Sequence, residues 1–251
     1  MPALAHVRRA EPVDLPHVWR VSELALEEGG VLPCGHAALD AHLPGGGWPL
    51  DGMVELLQAQ AGQHVWQLLL PALAQVTQQQ HGPVVLVGAP YVPFAPGLAA
   101  QGLAGERLLC VRADKPAARL WATEQALRCA DVVAVLAWLP HARAPDLRRL
   151  HLAAQQQRRL LFVLRPLAAQ HMSSPARLRL VLVGEGDALQ VCLIKRRGPP
   201  LDAPVDLPAH PARLAALLAA RRGRKVGQSV EPGVTVPTFR TDHALARPVT
   251  A

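Results

Sequence analysis

The chain has 251 residues, half of them hydrophobic, and a formal net charge of +7, so it can bury one sizeable core, and one domain with tails is expected. Its apolar runs are far shorter than the roughly 20 residues of a membrane-spanning helix, and its N-terminus lacks the apolar core of a secretory signal, so we expect a cytoplasmic protein without membrane contact. The cysteines and histidines show no metal-ligand spacing, and no serine lies in a G-x-S-x-G turn, which argues against a zinc site, another metal cofactor and serine hydrolase chemistry.

The first predicted element is an N-terminal docking segment at residues 1–30, which ends at a Gly-Gly pair. Between Asp14 and Leu26 it carries several apolar residues, among them Val18 and Trp19, that suit contact with a partner protein. The alternative is that these residues cover the core of the chain itself.

Residues 31–197 alternate short apolar runs with helix-compatible stretches, which predicts a folded core. The predicted strands are Val54–Leu57, Val84–Val87, Leu108–Val111, Val132–Ala137, Leu160–Leu164, Leu178–Val183 and Leu189–Ile194. The first five are typical of a parallel sheet buried on both faces, and the last two predict a β-hairpin at one edge. The predicted helices are Val65–Gln78, Ala117–Cys129 and Asp146–Gln157. This order predicts an α/β fold, a mostly parallel sheet flanked by helices, with functional loops at the carboxyl ends of the strands.

The stretch from Met53 to Val76 has the outline of a phosphate-binding strand, loop and helix. Such a loop needs G-x-x-x-x-G-K-[ST], because its backbone N–H groups curl around phosphates, its Lys offsets their charge and its hydroxyl binds Mg²⁺. The corresponding positions here form a degenerate loop that contains Gln58, Gly62, Gln63, His64 and Val65. A neutral His and a branched Val cannot replace the Lys and the hydroxyl, so no nucleotide cofactor is expected.

The region that leads into this loop resembles the entry into the core of the RecA recombinase family. The matching residues are Gly35, Leu39, Asp40, Gly45, Gly46, Gly47, Gly52 and Glu55. The resemblance covers roughly residues 31–195 and implies a RecA-like fold. Two more elements of that family's ATPase site are missing, because a strand that should end in a metal-binding Asp ends in Leu136, Ala137 and Trp138, and Pro90 stands where the catalytic Glu is expected. We therefore expect a protein that is not an ATPase, and keep a nucleotide hydrolase with an unorthodox site as a third alternative.

Two of the five tryptophans are candidates for partner binding. Trp48 lies in the turn GGGWPLDG, and Trp138 lies at the carboxyl end of a predicted strand, where an exposed indole can meet a partner or stack on a base. Trp66 and Trp121 occupy apolar positions of predicted helices, so they are predicted to pack in the core.

Positive charge is concentrated near the end of the chain, where from residue 195 onward ten basic residues stand against four acidic ones, a net +6. The candidates for contact with DNA phosphates or an acidic partner are Lys195, Arg196, Arg197, Arg221, Arg222, Arg224 and Lys225, to which Arg158, Arg159 and Arg165 could add. Residues 198–251 are predicted to form a flexible basic tail rich in Pro and Arg, in which Arg213–Lys225 could fold on a partner as a helix with Leu214 and Leu217 on its apolar face. A solvated tail kept soluble by its charge is the alternative.

The RecA-like core without its ATP site, the element Leu15–Arg20 and the segments LAWLP and LIKRRGPP together resemble the ImuA family. That family implies an accessory role in SOS-induced mutagenic translesion synthesis, with nucleoid association during DNA damage. It implies three partners: an ImuB-type Y-family-like polymerase, an error-prone C-family DNA polymerase and RecA. Single-stranded DNA is a further candidate because of the basic charge.

The second alternative is a role like that of SulA, the SOS cell-division inhibitor that binds FtsZ, to which the ImuA family is distantly similar. SulA-like proteins are shorter than this chain. The basic extension after Lys195 therefore favours the ImuA side.

Overall fold

The computed structural model describes residues 30–184 and 188–208. The predicted N-terminal segment up to residue 29, the hairpin turn at 185–187 and the tail from residue 209 lie outside the described residues. The strands are β1 (Val31–Leu32), β2 (Trp48–Pro49), β3 (Met53–Gln58), β4 (Val84–Val87), β5 (Leu108–Val111), β6 (Ala134–Trp138), β7 (Leu160–Pro166), β8 (Leu178–Val183), β9 (Leu189–Lys195) and β10 (Val205–Leu207).

Five α-helices connect or flank these strands. They are α1 (Ala37–Asp40), α2 (Val65–Gln80), α3 (Ala95–Ala99), α4 (Pro116–Arg128) and α5 (Ala144–Gln157), and short 3₁₀ turns lie at Pro44–Gly46, Gly105–Arg107 and Leu167–His171. A proline stands in the first turn of α3, α4 and α5, where its missing N–H costs no helical hydrogen bond. Across residues 30–184 and 188–208, no helix combines the length and hydropathy that crossing a membrane requires.

Eight strands form one sheet in the order β10-β9-β8-β3-β7-β6-β4-β5, and β1 pairs with β2 in a separate two-stranded ribbon. Strands β8, β3, β7, β6, β4 and β5 are parallel, whereas β9 is antiparallel to both β8 and β10. The mostly parallel sheet and the β8–β9 hairpin predicted from the sequence are confirmed. Strand β10 lies beyond residue 197, where the core was predicted to end, so the sheet extends to Leu207 and β9 is not its edge.

The sheet buries side chains on both faces. On one face Val54, Leu56 and Phe162 pack with the apolar side of α2, and on the other Met53 and Val163 pack against α5 and part of α4. Strand β5 differs from the predicted pattern of full burial. It is the last strand of the sheet, and its residues are half-buried or exposed.

A buried ion triad joins the three adjacent strands β8, β3 and β7. The carboxylate of Glu55 on β3 accepts hydrogen bonds from Nη1 of Arg165 on β7 (2.7 Å) and from Nε of Arg179 on β8 (2.6 Å). Glu55 has no solvent exposure, and both arginines are buried. The guanidinium of Arg179 also donates to the carbonyls of Ala169 and Gln170, which ties the 3₁₀ turn after β7 to the sheet.

Candidate functional site

The degenerate loop lies at the carboxyl edge of the sheet, as the sequence predicts. It connects β3 to α2 and spans residues 59–64. Two of its residues have left-handed backbone angles, Gly62 at φ +87° and His64 at φ 58°. A Cβ at Gly62 would lie 3.2 Å from Cγ of Pro90 and 3.3 Å from the ring of Tyr91, so the loop packs closely against the segment after β4.

The side chain of Gln58 fills the inside of this loop. Gly62 donates its backbone N–H to Oε1 of Gln58 (3.3 Å), and Nε2 of Gln58 donates to the carbonyl of Gln63. Gln58 is buried at the end of β3. In a phosphate-binding loop the backbone N–H groups point at the phosphate oxygens. Here one such N–H is already used by a neutral side chain of the same loop.

Further contacts hold the loop to other parts of the protein. Gln63 donates from Nε2 to the carbonyl of Gly184 at the end of β8 (3.3 Å). Nδ1 of His64 lies 3.0 Å from Oε1 of Gln67, whose Nε2 donates to the carbonyl of Pro208 after β10 (3.0 Å). The position of the loop is therefore set by neutral protein groups, and within residues 59–64 there is no permanent positive charge to meet a phosphate.

An arginine occupies the region where a magnesium-binding carboxylate is expected. Strand β6 ends in buried Ala137 and Trp138, and the carbonyl of Trp138 accepts a hydrogen bond from Nη1 of Arg119 on α4 (3.2 Å). Nε of the same arginine donates to the carbonyl of Ala113 (2.7 Å). The guanidinium thus links the end of β6 to the loop that precedes α4, and its charge opposes a cation at this point.

A cleft with two cavities runs along this edge. The larger has a volume of about 460 Å³ and is lined by residues after β3, β4, β6 and β7, with Arg119 and Arg165 as its charged side chains. The smaller, of about 240 Å³, lies between the segments after β4 and β5 and shares Arg119 with the first. None of the residues that line the larger cavity is acidic. In the described part of the chain, no group of three or more His, Cys, Asp or Glu residues could hold a metal ion.

The structure does not support the two tryptophans predicted as interface residues. Trp48 has no exposed surface and meets the ring of Phe162 edge to face, with centroids 5.4 Å apart. Trp138 is also buried, within β6. Trp66 packs half-buried against the core, as predicted, but Trp121, also predicted to lie in the core, is 63% exposed.

The basic residues at the end of β9 are partly engaged by the protein itself. Lys195 is exposed and donates from Nζ to the carbonyl of Ser174 (2.9 Å), and Arg196 donates to the carbonyls of His42 (2.6 Å) and Pro199 (2.7 Å). Arg197 is exposed. Arg165, predicted as an addition to this patch, is instead buried in the ion triad with Glu55.

The other predicted candidates lie outside the described residues. They are Val18, Trp19, Leu214, Leu217, Arg221, Arg222, Arg224 and Lys225. The sequence interpretation did not single out Arg119 or the exposed residues Tyr91, Val92 and Phe94 in the segment after β4. A signal for that segment was present, because APYVPFAP places a proline at every third residue between large apolar ones.

Comparison with known proteins identifies relatives along most of the chain. Two proteins named ImuA, from two strains of Caulobacter vibrioides, are each 32% identical over 229 residues, which is 86% of this chain and 90% of the relative. The cell division inhibitor SulA from Edwardsiella piscicida is 31% identical over 118 residues, 47% of this chain and 70% of that protein. The crystal structure of SulA from Pseudomonas aeruginosa is 26% identical with a TM-score of 0.38, and the match covers 45% of this chain and 97% of that one. No family model matches the chain.

Proposed function

This chain belongs to the ImuA family, and on that premise we propose that it is a non-catalytic accessory protein of SOS-induced mutagenic translesion DNA synthesis. In this role the RecA-like core is a scaffold. It contacts an ImuB-type Y-family-like polymerase, an error-prone C-family polymerase and RecA, and in second place single-stranded DNA. The protein works in the cytoplasm and joins the nucleoid during DNA damage.

The observation that carries the non-catalytic role is the loop after β3, which Gln58 fills. Phosphoryl transfer needs groups that position the nucleotide and neutralise the charge that develops on the phosphoryl oxygens. The loop provides no lysine and no hydroxyl, and the larger cavity beside it is lined by no carboxylate that could hold Mg²⁺. A core that retains this scaffold without these groups has protein and nucleic-acid contacts as its remaining chemistry.

Calorimetry with Mg-ATP tests the non-catalytic part directly. We expect no binding heat with the full chain at nucleotide concentrations up to the millimolar range. His64→Lys should not restore binding, because Gln58 still fills the loop and the carboxylates are missing as well. Micromolar binding that is lost in His64→Ala would contradict this part of the proposal and favour a hydrolase with an unorthodox site.

A second candidate function is division control of the SulA type, which is favoured by the 31% identity to a SulA over 118 residues. Affinity purification of the tagged full chain from DNA-damaged cells separates the two. The proposed function predicts that both polymerases and RecA are recovered, and that they are absent from a parallel purification with the tag alone. Recovery of FtsZ without any polymerase would overturn the translesion role in favour of the second candidate.

A further inference from the structure

The segment between β4 and α3 exposes three large apolar side chains within four residues. Tyr91, Val92 and Phe94, which we call the apolar ridge, are 75%, 76% and 75% exposed. No other large hydrophobic residue in the described part of the chain is as exposed. Clustered apolar side chains of this kind on a soluble protein mark sites of interaction.

The ridge is held in place before any partner arrives. Three prolines, Pro90, Pro93 and Pro96, fix backbone angles at every third residue, and the Tyr91 ring lies against Gly62 of the degenerate loop. The carbonyl of Phe94 accepts the N–H groups of Gly97 (3.1 Å) and Leu98 (3.2 Å), which closes the first turn of α3. A surface ordered in advance loses little conformational entropy when it binds.

Arg119 places a positive charge in the cleft beside the ridge. It lines both cavities, of about 460 and 240 Å³, and uses Nε and Nη1 for the carbonyls of Ala113 and Trp138. Among the described residues its Nη2 has no acceptor. A guanidinium with an unused donor in a cleft binds carboxylates well, because the charge strengthens each hydrogen bond.

We propose that the apolar ridge and the cleft at Arg119 form one docking surface for a protein segment that carries apolar side chains and a carboxylate. Val92 and the prolines of the ridge offer no ring system on which bases could stack, and Asp114 in the smaller cavity repels phosphates. Both features favour a polypeptide over nucleic acid. The surface rests on the proposed scaffold function, for which it supplies a place where a partner of the assembly binds.

A random twelve-residue peptide library displayed on phage and selected on the immobilised full-length protein provides the probe. We expect the selected peptides to share aromatic or branched apolar residues and at least one Asp or Glu. Synthesised with a fluorescent label, they should bind the double variant Tyr91→Ser/Phe94→Ser at least about tenfold more weakly by anisotropy, as for central apolar contacts of an interface. Replacement of the peptide Asp by Asn should weaken binding to the unaltered protein.

Trp121→Ser is the matched control, because it removes an exposed aromatic of similar exposure from α4, outside the ridge. Its affinity for the peptides should be unchanged, and circular dichroism melting should show that all variants are folded. Peptides that bind the ridge variant and the unaltered protein equally would overturn the inference, as would failure to select any peptide.

A labelled oligo-dT strand tests the nucleic-acid reading of the same surface. A loss of oligo-dT affinity in the ridge variant, with peptide binding intact, would overturn the inference in favour of a nucleic-acid surface. All these measurements use purified protein. Their failure would therefore leave the proposed translesion role to be decided by the partners recovered from cells.

Discussion

Replacement of Glu55 by Gln should destabilise the protein strongly, because it removes the single carboxylate between two buried arginines. Glu55 accepts charge-assisted hydrogen bonds of 2.7 Å from Arg165 and 2.6 Å from Arg179. A Gln has nearly the same shape, but its amide offers a donor to one of the two guanidinium groups and leaves both positive charges without compensation. Loss of one member of a buried ion network costs about 3–5 kcal/mol. For a domain of this size that corresponds to a melting temperature lower by about 6–20 °C.

Glu124 provides a control with the same chemistry at the surface. Its carboxylate also lies between two arginines, Arg128 at 2.7 Å and Arg149 at 3.1 Å, but the side chains of these arginines are 59% and 54% exposed. Glu124→Gln should cost no more than about 1 kcal/mol, because water and mobile ions screen exposed pairs. Urea denaturation followed by circular dichroism measures both variants. Equal losses of unfolding free energy in Glu55→Gln and Glu124→Gln would refute the reasoning, since burial would then make no difference.

Three further predictions concern the core, the basic tail and pH. Trp48→Ala should lower the free energy of unfolding by about 3–5 kcal/mol and Trp121→Ala by far less, as measured by urea denaturation, because only the first leaves a buried cavity. If the tail contacts single-stranded DNA, truncation after Pro211 should flatten the log-log salt dependence of binding by about 0.7 for each of up to four lost phosphate contacts in anisotropy titrations, with the sheet intact. Burial, with the nearby charge of Arg177, lowers the pKa of His151, whose Nδ1 accepts the N–H of Met53 (3.1 Å). The unfolded chain therefore binds more protons below about pH 6.5, so stability should fall as pH decreases from there, and His151→Gln should make that fall shallower in urea titrations.

The parallel strands could be predicted because strands buried on both faces consist of uninterrupted apolar residues. The bounds predicted for β4, β5 and β8 coincide with those in the structure. Strand β10 could not be predicted in the same way. It has only three residues between Pro204 and Pro208, and its place in the sheet depends on pairing with β9, which no local pattern encodes.

The tryptophans show where sequence patterns fail. The buried positions of α4 include Thr123 and Leu127, which lie four residues apart on one side of the helix. Trp121 precedes Thr123 by two residues, a rotation of about 200°, so its side chain points to solvent. Trp48 lies in a glycine-rich turn that looks exposed, and only its long-range contact with Phe162 shows that it is part of the core.

The candidate site was predictable as a loss and unpredictable as a structure. The residues at the loop indicate that the lysine and the hydroxyl of a phosphate site are missing. They do not indicate that the side chain of Gln58 folds into the loop, or that Arg119 reaches the end of β6 from a helix more than 15 residues away in sequence. Both contacts depend on tertiary geometry.

The frequency of damage-induced mutations in cells that lack the gene tests the central claim most directly. The account predicts that, after DNA damage, resistant mutants arise less often in the deletion strain than in the parent. A plasmid copy of the unaltered gene should restore their frequency, while both strains filament normally. An unchanged mutation frequency in the deletion strain, together with failure to filament after damage, would contradict the account.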